Sequence, residues 1–136
     1  MNCVEKRDLL YSDKSPAELA KIGESLLAGG ARYDALQFFL RADDQSGLSK
    51  IRQSAIEEGD AFMLEQFVLS GREIEAAEWR SLADNARRLQ KFQFAIRALR
   101  AAGDDVAADK LAEEAGLTEP AADEAESSPE AGDGGA

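Results

Sequence analysis

The sequence predicts an all-α protein built of short antiparallel helical hairpins, and three observations predict it. Proline occurs only at Pro16, Pro120 and Pro129, so Ala17–Glu119 contains no hard helix breaker. That stretch is rich in Ala, Leu, Glu and Arg, which lose little side-chain freedom in a helix, and poor in β-branched residues. Glycines at Gly29-Gly30, Gly47, Gly59, Gly71, Gly103 and Gly116 divide it into short pieces, each with apolar residues three or four apart.

Taken in order, the clearest helix start is Ser15-Pro16-Ala17-Glu18. Ser caps, Pro occupies the first turn and Glu completes a capping box. The first predicted helix covers 16–28, with Leu19, Ile22, Leu26 and Leu27 on one face, and the second covers 32–42, with Leu36, Phe39 and Leu40 inward. The third spans 46–58 with Leu48, Ile51 and Ile56. The fourth spans 60–70 with Phe62 or Met63, Phe67 and Val68. The fifth spans 73–88 with Trp79, Leu82 and Ala86, the sixth 91–102 with Phe92, Ala95, Ile96 and Leu99, and the seventh 105–115 with Val106 and Leu111. Asp60 after Gly59, and Asp104-Asp105 after Gly103, stand where a carboxylate accepts bonds from free helix N–H groups. Each helix is too short to persist alone in water, so packing must hold it.

The ends differ from this body. Residues 1–14 read as a flexible lead with room for a turn of helix around Val4–Tyr11, and 15–116 as the folded domain. Residues 117–136 read as a disordered tail: six acidic residues, no basic one, and Leu117 as the single large apolar side chain.

Composition narrows the function. The 136 residues carry a net charge of -11, from 27 acidic and 16 basic side chains, which disfavours phosphate backbones and anionic lipids. No nucleic acid or membrane partner is therefore expected, and no window approaches the apolar length of a membrane span. Histidine is absent, which removes the commonest general base and metal ligand. Cys3 is the lone cysteine, too few for an internal disulfide or a zinc knuckle, and it fits a reducing, cytoplasmic setting. Glu5, Lys6, Arg7 and Asp8 make the start unlike a secretory leader. The carboxylate pairs Asp43-Asp44, Glu57-Glu58, Asp104-Asp105 and Glu113-Glu114 are adjacent in sequence, so on a helix they diverge and suit caps rather than acid–base catalysis. Asp43–Gly47 lacks the alternation and later Glu of a calcium loop. With no P-loop, nucleophile elbow or zinc-protease motif, the expectation is a non-enzyme without cofactor or metal.

The first and third hairpins repeat each other. Leu19, Ile22, Gly23, Leu26, Ala35, Phe39 and Ala42 match Trp79, Leu82, Ala83, Ala86, Ala95, Leu99 and Ala102, each pair 60 residues apart. Small residues at Gly23 and Ala35, or Ala83 and Ala95, let two antiparallel helices approach, while large ones fill the seam. This pattern resembles the tetratricopeptide repeat (TPR), whose unit of about 34 residues runs W-x2-L-G-x2-Y, A-x3-F, P. Here Leu19-x2-Ile22-Gly23-x2-Leu26 is followed by Ala35-x3-Phe39, and Trp79-x2-Leu82-Ala83 by Ala95-x3-Leu99. The resemblance covers 16–49 and 76–109. Neither unit has the closing proline (Gly47 and Ala107 stand there), and two family periods would place the units about 68 residues apart rather than 60.

The resemblance implies a short right-handed solenoid of stacked hairpins, with a concave groove lined by the first helix of each. It implies groove positions at Lys21 and Glu24 in the first hairpin and at Arg80, Asp84, Arg87 and Arg88 in the third. Three arginines within nine residues of an acidic chain suit bidentate recognition of carboxylates, hence an acidic peptide or protein partner. The same arginines equally suit a solvated helix face with internal ion pairs. Some relatives hold the acidic C-termini of chaperones through groove Lys and Asn residues; Ala20 and Glu24 stand at the matching positions, against that particular activity. Trp79 stands at a packing position. Phe38, beside the seam residue Phe39, is left either against an adjoining hairpin or at the surface. The function expected is a non-catalytic interaction module. The alternative is a structural subunit that self-associates, as a homodimer, or completes a larger complex through an open hairpin face.

Overall fold

The capping box at Ser15 forms as the sequence requires. The Glu18 N–H donates to Ser15 Oγ at 3.2 Å and the Ser15 N–H to Glu18 Oε1 at 2.9 Å. The Ser15 backbone N–H, and after it the Ser15 hydroxyl, hold the Glu18 carboxyl pKa below its ordinary value, with smaller help from Lys14 and Lys21. In the computed structural model, which describes residues 2–117, this box opens the second of eight α-helices: α1 Cys3–Leu10, α2 Pro16–Ala28, α3 Arg32–Ala42, α4 Gln45–Glu58, α5 Ala61–Leu69, α6 Ala76–Arg88, α7 Phe92–Ala101 and α8 Asp105–Glu114. No strand occurs among the described residues, so the fold is all-α. Of the tail read at 117–136, residues 118–136 lie outside them. Leu117 lies within them: its N–H donates to Ala112 O at 2.7 Å and its side chain packs half-buried on the core.

Consecutive helices pair as α2–α3, α4–α5 and α6–α7, and α8 packs on α7. The pairs meet through α3 and α2 on α4, α4 on α6 and α5 on α7. The starts Pro16, Gln45, Ala76 and Asp105 recur about every 30 residues, and so do Cys3, Arg32, Ala61 and Phe92. One core threads the hairpins, from Ala35, Leu36 and Phe39 through Ile51, Leu64 and Phe67 to Leu82, Ile96 and Leu111.

Small residues set the helix approaches. The Phe39 ring lies between two glycines. A Cβ on Gly23 of α2 would sit 2.7 Å from Phe39 Cε1, and one on Gly47 of α4 would sit 2.4 Å from Phe39 Cδ1. Gly59 ends α4 in the left-handed conformation (φ 67°), and a Cβ there would lie 2.5 Å from Ala86 Cα of α6. The first pair of contacts seats α3 between α2 and α4; the last brings α4 against α6.

The lead read as flexible carries α1, capped by Asn2. Leu10 is buried with Leu19 and Phe38, so Phe38 is not exposed, and α1, outside the hairpins, helps to cover it. Lys6 Nζ meets Asp34 Oδ1 at 3.0 Å, and this hydrogen bond raises the Lys6 pKa against the opposing effect of burial. Arg41 Nε donates to Leu10 O at 3.1 Å and the guanidinium lies over the Tyr11 ring.

Two apolar positions read as inward face solvent. Val68 is 49 % exposed because α5 buries Ala61, Leu64 and Phe67, and Val68 sits one residue, about 100°, round from that face. Val106 is 81 % exposed because α8 meets the core through Ala108, Leu111 and Ala112.

Candidate functional site

The six residues expected to line a groove stand on two helices, Lys21 and Glu24 on α2 and Arg80, Asp84, Arg87 and Arg88 on α6, and all six are exposed. Both helices pack on α4. Arg87 Nη2 reaches Glu114 Oε1 of α8 at 3.4 Å, and Arg88 Nη2 donates to Asn85 Oδ1 at 2.7 Å. Asn85 in turn donates to Ile56 O at 2.8 Å, tying α6 to the end of α4. Arg80, Glu24 and Asp84 make no hydrogen bond or ion pair among the described residues. Arg87 borders a small cavity of about 100 Å3 together with Lys110, Leu111 and Glu114.

A larger and more apolar concavity lies elsewhere. The junction between α5 and α6 runs through Ser70–Glu75, longer than the corresponding junctions Asp43-Asp44 and Ala102–Asp104. The short α5 and long linker leave an open groove of about 810 Å3. Its walls are Val68 and Leu69 at the end of α5, Ile74 on the linker, Trp79 on α6 and Ala101 at the end of α7. Leu69 is 79 % exposed, while Trp79 is 4 % exposed and forms part of the wall with its small accessible edge. A volume of this order accommodates a large side chain and its neighbours.

The linker is pinned at several points. The Arg72 N–H donates to Phe67 O at 2.9 Å and Ser70 Oγ donates to the same carbonyl at 2.7 Å. Arg52 of α4 donates from Nη2 to Glu73 O at 2.8 Å, and its Nε lies 2.9 Å from Glu78 Oε2, with the guanidinium over the Phe67 ring. Burial alone would raise the Glu78 pKa. The Arg52 hydrogen bond and the Glu75 N–H outweigh it and bring the pKa below the ordinary 4.5. A groove held in shape before anything enters it spares a partner the cost of ordering it.

The groove's charges are unevenly committed. Arg72 pairs with Asp43 at 2.8 Å, and Glu65 pairs with Arg97 of α7. Glu73 and Glu75, both exposed, make no ion pair among the described residues. Among the described residues no group of three His, Cys, Asp or Glu side chains is placed to hold a metal ion, and no helix is long and apolar enough to cross a membrane.

Sequence reasoning kept Trp79 as a packing residue and missed the groove it borders. The available signal was the run Phe67-Val68-Leu69: three consecutive apolar residues cannot share one helix face, so at least one had to be left outward. Comparison of the chain with protein-family models, curated proteins and solved structures finds no match.

Proposed function

We propose that this chain is a non-catalytic protein–protein interaction module whose hairpins stack in a TPR-like array. The groove between α5, α6 and α7 takes an apolar side chain of a partner. The observation that carries this reading is Leu69, a large apolar residue left almost fully exposed on the rim of a pinned, apolar-walled groove. Recurrence of helix starts about every 30 residues supports the hairpin array. Because that period is shorter than the roughly 34 residues of the TPR, it favours a related hairpin stack over the TPR itself. The groove is favoured over the arginine face because Arg87 and Arg88 already have partners within the fold. Cys3, exposed and free, suits a reducing compartment such as the cytoplasm.

Trp79 is the sole tryptophan and borders the groove, so its emission reports occupancy. Titration with tryptophan-free amphipathic peptides should shift that emission saturably, and Leu69→Asp should abolish the shift. Peptides that bind with the shift unchanged in Leu69→Asp would remove the groove from the reading. Emission that shifts with protein concentration alone, together with a dimer in sedimentation velocity, would replace it with the self-associating subunit.

A further inference from the structure

We infer that the partner segment entering this groove is basic: an apolar anchor flanked by lysine or arginine. The inference rests on the groove being a binding site and adds the chemistry of its occupant. Four charged residues line the groove, and two of them are spent inside the fold, Arg72 on Asp43 and Glu65 on Arg97. What remains for a visitor is Glu73 and Glu75, two carboxylates on the linker beside the apolar wall of Val68, Leu69, Ile74 and Trp79. The mouth therefore offers apolar surface for an anchor and uncompensated negative charge at its edge.

The same charges disfavour the two occupants nearest at hand. A second copy of the chain brings a net charge of -11 to an acidic rim. Residues 118–136 hold six acidic and no basic side chains, so like charge opposes their entry. A basic segment meets neither penalty. Its cations pair with Glu73 and Glu75 at the rim, where charge sets orientation and association rate, while the buried anchor supplies most of the affinity.

The probes are two tryptophan-free amphipathic helical peptides of equal length, one of leucine and lysine and one of leucine and glutamate. Each is titrated into the full chain at low salt and followed by Trp79 emission and calorimetry. The leucine–lysine peptide should bind about tenfold more tightly, the scale two surface ion pairs supply. Glu73→Lys and Glu75→Lys should each cut that preference several-fold. Asp13→Lys and Glu113→Lys, equal charge changes ahead of α2 and on α8, should leave it nearly intact. The melting temperature of each variant separates a loss of fold from a loss of the rim charge. If all four reversals weaken the lysine peptide alike, its binding reflects only the overall acidity and the inference fails. If both peptides bind equally and both need Leu69, the groove stands and the basic partner falls. If neither needs Leu69, the groove falls with it, and a dimer that excludes both peptides assigns the site to a second copy.

Discussion

Gly47→Ala is the sharpest test of how the first hairpins are assembled. In a solvent-facing helix the change would stabilise by about 0.8–1 kcal/mol, because alanine is the better helix former. Here the new methyl would stand 2.4 Å from Phe39 Cδ1 and 2.5 Å from Cε1. The ring has little room to yield, since Phe39 is fully buried and also packs closely on Gly23 of α2. Overpacking of this kind costs about 1–3 kcal/mol, and the upper half of that range applies to a fully buried ring met this closely. The net expectation is a loss of about 1–2 kcal/mol, or roughly 4–8 °C in Tm for a chain of this size. Urea denaturation followed by far-UV circular dichroism reads it directly. The control is Gly29→Ala, whose Cβ would make only ordinary contacts at 3.6 Å and should shift stability by less than about 0.5 kcal/mol. Combining Gly47→Ala with Phe39→Leu should recover about 1 kcal/mol relative to the sum of the single changes, because the smaller side chain gives the methyl room. A Gly47→Ala protein as stable as the parent, or an additive double mutant, would show that the ring is not wedged between the glycines.

Three further outcomes follow from the same packing. Gly59→Ala should cost more than Gly47→Ala, about 2–4 kcal/mol in urea denaturation, since it adds left-handed strain to a clash with the α6 backbone at Ala86. Phe38→Ala should cost about 3 kcal/mol and speed amide exchange throughout α1, whose Leu10 would lose its buried neighbour; unchanged α1 exchange would refute that seating. Glu78→Gln should lose no more than about 1 kcal/mol at neutral pH, as both it and Arg52 remain partly exposed. Because the Glu78 pKa is lowered on folding, its contribution is present above the ordinary 4.5 and lost as the pH falls through the folded value. Parent and variant stabilities should therefore converge under acid; a gap that persists there would argue against the ion pair.

The helices were legible because their signals are local. Ser15, Asp60 and Asp104 each cap the helix they precede, and the predicted ranges 16–28 and 32–42 coincide with α2 and α3. Gly23 also reads correctly as a close-approach position, since a small residue facing a large one is a pairwise pattern visible in the chain, and Ala35 is fully buried. Phe38 was ambiguous because Phe38-Phe39 must point two ways, and only the position of α1 decides what meets the second ring. The turn of helix read around Val4–Tyr11 is present as α1, but Leu9-Leu10 is too short a pattern to announce where it packs. The groove was hidden for a different reason. Val68 and Leu69 look like core by composition, and the open space beside them depends on how far apart the linker 70–75 holds α5, α6 and α7. Periodicity along one helix carries no record of a gap among three. Likewise the commitment of Arg87 to Glu114 depends on α8 packing on α7 so that its end comes within reach of the end of α6, which no spacing within α6 shows.

The cross-hairpin polar bonds bear on how the chain reaches this state. Lys6 with Asp34, Arg32 with Asp60, Arg52 with Glu78, Asn85 with Ile56 O, Arg97 with Glu65 and Arg87 with Glu114 join residues only 26–32 apart. Each hairpin is latched by the one beside it, so no long loop has to close before its contacts begin to hold. Such low contact order favours folding in milliseconds or less. It also lets the N-terminal hairpins set while the remainder is still being synthesised, with each new pair of helices adding to a surface already in place.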